Sequence, residues 1–258
     1  MSPVKAAPLD PAAFLAELEP AASGAGFRRE VFGEAGGVPL VALTKRTPGP
    51  RPRVYLSAGI HGDEPAGPLA LLSLIESGEF DDRAVWFLCP MLNPVGLARG
   101  IRENAAGTDL NRDYKHVESP EIRAHVGWLR RQPNFDLAVC VHEDWESTGF
   151  YLYELNRGNR PGLAAQMIAA AAKVCPIDPS PLIEGREAKG GIIRPVGDPM
   201  EREKWPESIY LQAHHTRLSY TVEAPSALGM EVRIAALRAA LATAIALTCP
   251  GPTARSIR

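Results

Sequence analysis

Short apolar runs alternate with longer amphipathic ones along most of this 258-residue chain. Arg53 to Ile60 (RVYLSAGI), Ala84 to Met91 (AVWFLCPM), Asp136 to His142 (DLAVCVH), Phe150 to Leu155 and Leu218 to Glu223 (LSYTVE) are largely apolar stretches rich in β-branched and aromatic residues. That is the composition of strands covered on both faces. Between and after them, Pro65 to Ser77, Pro120 to Arg131, Pro161 to Val174 and Met230 to Leu247 read as helices. Asp10-Pro11 starts a further helix, a capping residue followed by proline, with Phe14, Leu15 and Leu18 at helical spacing behind it. Phe27 to Phe32 and Val38 to Leu43 lean towards strand and flank Gly33 to Gly37 (GEAGG), which predicts a hairpin. Strands alternating with helices predict an α/β fold whose sheet is covered on both sides.

The pattern breaks in two places. Asn93 to Ser119 and Cys175 to Ser208 show neither period, and irregular segments of that length in a compact domain are usually functional. With 23 glycines and 24 prolines the chain is rich in turns. Its length suits one domain over residues 1–258, in which 1–50 form a lead-in of helix and hairpin.

An apolar fraction of 45% excludes disorder over most of the chain. A net charge of −2 supplies no field for nucleic acid or an anionic membrane. The longest apolar runs, Leu163 to Ala172 and Leu241 to Leu247, fall short of the ~18 residues a membrane helix needs. Met1 to Leu18 has one lysine and no apolar core before Asp10, which does not read as a secretory leader. Cys89, Cys140, Cys175 and Cys249 form no CxxC pair. Reduced thiols and a cytoplasmic location are therefore expected.

The chemistry-bearing residues gather at strand ends. His61-Gly62-Asp63-Glu64 follows the strand that closes at Ile60, and open α/β sheets bind ligands outside the carboxyl ends of their strands. An imidazole and a carboxylate three apart in such a turn can meet at one point. Zinc takes that mixture of nitrogen and oxygen, with three protein ligands and a water in a catalytic site. A capping turn with Glu64 in the first helical turn would use the same residues. His142, at the end of the strand DLAVCV, offers a third ligand; the plain alternative is an exposed histidine beside Glu143, Asp144 and Glu146. The segment Asn93 to Tyr114 (NPVGLARGIRENAAGTDLNRDY) carries Arg99, Arg102 and Arg112. Guanidinium forks grip carboxylates and stabilise developing oxyanions, although a solvated loop would show the same charges.

HGDE, NPxG, the RxN–G–DLNRD run, the strand-terminal His142 and the late TVEAPS strand occur in an order that resembles the zinc carboxypeptidase family. The nearest branch is the bacterial carboxypeptidase-like and murein-peptide-amidase-like members, adjoining the succinylglutamate desuccinylase/aspartoacylase group. The matched motifs run from about Val54 to Ser226. The resemblance implies a single domain built on a mixed sheet of about eight strands with helices on both faces. It implies one zinc ion held by His61, Glu64 and His142, with Asp109 orienting His61. It implies Arg102 at the scissile carbonyl, Asn111 and Arg112 on the substrate's terminal carboxylate, and Glu223 as general base and acid. Tyr210 is the candidate for the tyrosine that covers substrate in digestive members. The family run commonly ends in NRN; here Asp113 stands in its place, an acid expected to weaken the carboxylate clamp or favour a cation. The His214-His215 pair has no family counterpart and reads as structural. Of Trp145, Phe150, Tyr151 and Tyr153, alternate members are expected in the core and the others in the cleft.

The resulting expectation is a zinc-dependent metallocarboxypeptidase or peptide amidase acting on a small peptide. An N-acyl amino acid deacylase would use the same groups on a shorter amide. A catalytically silent peptide-binding module is the third reading, against which Glu223 and Arg102 argue, since a binder needs neither.

Overall fold

The structure is a computed structural model, described over residues 8–158 and 161–250. The extreme amino terminus, part of the stretch read above for a leader, lies outside these residues.

Helix α1 (Pro11–Gly24) begins as the sequence predicts: the Asp10 carboxylate accepts the backbone N–H groups of Ala12 and Ala13. Strands β1 (Arg28–Ala35) and β2 (Val38–Lys45) form the hairpin, turning on Gly36 and Gly37, both at positive φ. The sheet then builds inward through β3 (Arg53–Ala58), β4 (Val85–Cys89), β5 (Leu137–Asp144), β6 (Tyr151–Asn156) and β10 (Leu218–Pro225). Three short strands, β7 (Leu182–Ile183), β8 (Arg186–Lys189) and β9 (Ile192–Ile193), complete it. The order is β1-β2-β4-β3-β5-β10-β6-β9-β8-β7, with β4, β3, β5 and β10 parallel at its centre.

Ten strands therefore replace the expected eight. The additional ones lie in the stretch read as irregular, because strands of two to four residues are too short to display a period of two.

Alternation along the central strands feeds two cores. Val54, Leu56 and Ala58 of β3, and Leu137, Val139 and Val141 of β5, face α1, α2 (Ala66–Glu76), α5 (Ala164–Ala171) and α7 (Met230–Thr248). Tyr55, Ala138 and Cys140 face α4 (Pro120–Leu129) and α6 (Glu207–His214), where Trp128 and Leu129 are buried. Full burial of such a side chain contributes roughly 1.5–3 kcal/mol, so each strand is held from both sides. Helix α6, like the short α3 (Pro94–Arg99), is a helix the sequence pattern did not show. Its eight residues include Glu207, Gln212 and His214 among the apolar ones, which blurs any stripe. Among the described residues all four cysteines are free and buried, and no helix is long and apolar enough to cross a membrane.

Candidate metal centre

Four parallel strands end on one side of the sheet, and the turn after β3 carries His61 and Glu64. Gly59 sits at φ +64, and Gly62 packs so closely on the next loop that a Cβ there would lie 1.9 Å from the Gly96 carbonyl carbon. That approach needs glycine at 62, while a Cβ on Gly96 would instead meet the Asn93 side chain. It is held by the Gly62 N–H donating to the Arg102 carbonyl and by Asn93, whose amide donates to the carbonyls of Ile60 and Arg102. Asn93 also caps α3 (Pro94–Arg99) through the Gly96 N–H. The NPxG run thus acts as the splint that fixes the HGDE turn.

His142 lies within β5 rather than after it, paired in register with Glu223 of β10. Neighbours in parallel register point to the same face, so both side chains meet the turn from the same side. The Glu64 carboxylate sits between two imidazoles, its Oε1 2.5 Å from His61 Nδ1 and its Oε2 2.8 Å from His142 Nδ1. All three residues are at most 4% exposed. Burial pushes the Glu64 carboxyl up, but the two histidines outweigh it and hold Glu64 far below the usual carboxylate range. Burial pulls His61 down, yet Glu64 and Asp109 leave it above the ordinary histidine value; for His142 burial wins and the value falls.

These donors fit a divalent ion. One potential ligand atom from each residue lies within 4.8 Å of the others, and they are the metal-capable group of three or more found among the described residues. His61 Nε2 is buried without a hydrogen-bond partner, and Asp109 Oδ1 stands 3.3 Å from it. A carboxylate behind a ligating imidazole is the arrangement that fixes tautomer and orientation. Asp109 also accepts from Arg102 Nε at 3.0 Å, and Arg102 Nη1 lies 3.6 Å from Glu64 Oε1. Burial lowers and the surrounding carboxylates raise the Arg102 guanidinium, with a net upward shift.

The centre opens into a cavity of about 830 Å³, within the usual range for small-molecule sites, lined among others by Arg102, Asn111, Arg112 and Glu223. Glu223 is 9% exposed, and burial, then Glu64, Glu184 and Asp144, push its carboxyl well up against the opposing pull of Arg102. Trp145 and Tyr153 line the cavity, while the consecutive Phe150 and Tyr151 are both fully buried, so the four do not follow the expected alternation.

Two further expectations need correction. Tyr210 is 4% exposed and packs against Tyr114, His214 and His215 in the core under α6, not on the cavity wall. Its neighbours Ser208 and Ile209 line the cavity instead, because successive residues of a helix project about 100° apart. Asp113 does not face a ligand: it is buried and accepts from the backbone of Glu118 and Ser119 and from the Ser119 hydroxyl, closing the turn before α4. Asn111 lines the cavity, and its Oδ1 accepts the Glu207 N–H at the start of α6.

Sequence reasoning missed Glu207. It is 1% exposed, accepts from the hydroxyls of Tyr55 (2.7 Å) and Ser57 (2.9 Å), and is pushed up to about 7 by burial. It also missed the buried pair of Glu143 with Arg233, which ties β5 to α7 directly behind His142. No spacing in the chain links these partners.

Comparisons with known proteins extend the geometry. Residues 50–167 match the succinylglutamate desuccinylase/aspartoacylase catalytic domain. A candidate metallopeptidase from Shewanella amazonensis superposes with a TM-score of 0.83 at 26% identity over 94% of each chain. Over residues 50–167 the chain is thus similar to the succinylglutamate desuccinylase/aspartoacylase catalytic domain, and over nearly its whole length its fold is that of a metallopeptidase. A metallo-carboxypeptidase from Burkholderia cenocepacia shares the fold, with a TM-score of 0.69 at 21% identity over 92% of this chain and 69% of that one. Human carboxypeptidase D is 30% identical over a 111-residue alignment that covers 35% of this chain and 8% of that much longer protein.

Proposed function

We propose that this protein is a zinc-dependent metallocarboxypeptidase that hydrolyses an amide bond near the carboxyl terminus of a small peptide. The observation that carries the reading is the Glu64 carboxylate set between His61 and His142, with Glu223 in register beside His142. In this reading His61, Glu64 and His142 hold one zinc ion, which when bound supplies Lewis-acid polarisation and an acidified water. The Glu223 carboxylate takes the proton of the attacking water and delivers it to the leaving nitrogen. Arg102, anchored by Asp109, turns its guanidinium towards the oxygen on which charge develops. Arg112, with the amide of Asn111, holds the substrate's terminal carboxylate, which selects the chain end.

The match of residues 50–167 to the desuccinylase/aspartoacylase domain supports a second reading, release of a short acyl group from an N-acyl amino acid. Peptides with free and amidated carboxyl termini separate the two. The expected result is release of the terminal amino acid from the free peptide alone, with Arg112→Lys raising KM more than it lowers kcat, since lysine lacks the bidentate fork. Equal cleavage of the amidated peptide overturns the exopeptidase reading, and acetate or succinate release in its place favours the deacylase. Glu223→Gln should lower kcat by about 10²- to 10⁴-fold with metal content unchanged; a variant as active as the parent removes Glu223 from the chemistry.

A further inference from the structure

The wall of the cavity away from the metal centre carries an unusual set of charges. Arg112 comes from the 3-10 turn Leu110–Arg112, Arg186 from the first position of β8, and Arg202 from the segment after the 3-10 turn Pro199–Glu201. All three line the same cavity. Among the described residues none of the three guanidiniums has a carboxylate at ion-pair distance. By contrast Arg102, Arg157 and Arg194 all have one.

Their proximity is electrostatically unfavourable in the free protein. Arg202 is held below the usual guanidinium value, first by its loss of solvent and then by the positive charges of Arg186 and Arg112, with Glu184 offsetting only part. Three carboxylates of the same cavity are engaged by other groups. Glu184 accepts from the Tyr153 hydroxyl, Asp144 from the Tyr151 hydroxyl, and Asp198 from Arg157. The β7–β8 hairpin holds this arrangement through a turn in which Glu184 and Gly185 both have positive φ, at 48° and 70°. A non-glycine residue in that conformation is strained, and such strain concentrates where a loop is positioned for function.

One arginine suffices for a terminal carboxylate; three without a carboxylate partner in one cavity, although Arg112 donates to the Asn111 carbonyl, call for a second anion. We propose that Arg186 and Arg202 form a second carboxylate subsite, so that the residue released from the substrate carries an acidic side chain. This rests on the carboxypeptidase reading of the metal centre and names its substrate class. A guanidinium recognises a carboxylate through paired charge-assisted hydrogen bonds, so the discrimination should be large when solvent is displaced from the cavity.

The test compares matched blocked dipeptides ending in glutamate, leucine or lysine, with the zinc-loaded parent and with Arg186→Gln, Arg202→Gln and the double variant. The expected parent preference for glutamate over leucine in kcat/KM is about 10- to 100-fold, and the double variant should lose most of that ratio. As a readout independent of the variants' folding, free glutamate should inhibit the parent at lower concentration than free leucine, and added salt should narrow the gap. A parent that cleaves the leucine or lysine peptide as well as the glutamate one, or a double variant that keeps the ratio, overturns the second subsite and leaves the carboxypeptidase reading standing. A parent that cleaves none of the three peptides overturns the carboxypeptidase reading itself.

Discussion

Asp109 is the residue on which most of the candidate centre turns. One of its oxygens accepts the Asn111 N–H and faces His61 Nε2, and the other accepts Arg102 Nε. A single carboxylate therefore contacts an imidazole of the candidate metal set and a guanidinium of the cavity at once. Replacing it by asparagine keeps the size and removes the charge. Asp109→Asn is expected to weaken metal retention by about 10- to 100-fold, the usual effect of losing a partner behind a ligating histidine. Competition with a chelating dye measures it, and equal affinity in variant and parent would show that the contact orients nothing. His61, Glu64, Asp109 and Arg102 were all legible in the chain, because the turn and the loop that present them are short ordered motifs. Glu207, Arg186 and Arg202 were not, because each is a single charged residue in an irregular run, and its meaning depends on what lies opposite.

At the scale of elements, the site depends on the contact between the turn after β3 and the loop after β4. Gly62 and Gly96 touch through backbone, so no side-chain rearrangement can make room for a Cβ. Gly62→Ala must separate the two segments, at a cost of about 1–3 kcal/mol or more, as overpacking in a close-packed region does. Both midpoint denaturant concentration and metal affinity should fall together, since the displaced turn carries His61 and Glu64. A variant that loses stability but binds metal as the parent does would show that the turn is set by β3 and α2 alone. The elements that build the site were read from alternation in β3, β5 and β10. Helix α6 and the strands β7 to β9 escaped, being too short or too mixed in polarity for either period to emerge.

Across the whole molecule, Glu207 links the two halves of the sheet's lower core. Its carboxyl receives hydroxyls from β3, its backbone N–H is held by Asn111, and Tyr55 passes the network on to His125, which also meets the Tyr114 hydroxyl. Burial raises its folded-state value to about 7, from an ordinary 4.5. Between those two pH values the native protein keeps a proton that the unfolded chain has released. The contribution of this group to stability is thus full below about pH 4.5, falls as pH rises towards 7, and is lost above it. The slope over that window is at most about 1.4 kcal/mol per pH unit. Glu207→Gln mimics the protonated form, so the variant should flatten the dependence of Tm on pH between 5 and 8 and gain on the parent at the alkaline end. Parallel curves for the two proteins would show that Glu207 stays ionised when buried.

What the chain alone determined was periodicity and local motif: the α/β alternation, the hairpin, the HGDE turn, the DLNRD run and the strand that carries Glu223. These depend on residues close in sequence, whose spacing is set by strand and helix geometry. What only the tertiary structure decided was convergence. The register that sets Glu223 beside His142, the burial that takes Tyr210 and Asp113 away from the cavity, and the meeting of Arg112, Arg186 and Arg202 all join segments far apart in the chain. Such contacts are selected by how the faces of the sheet bury their apolar area, a property of the packed whole that no local pattern encodes.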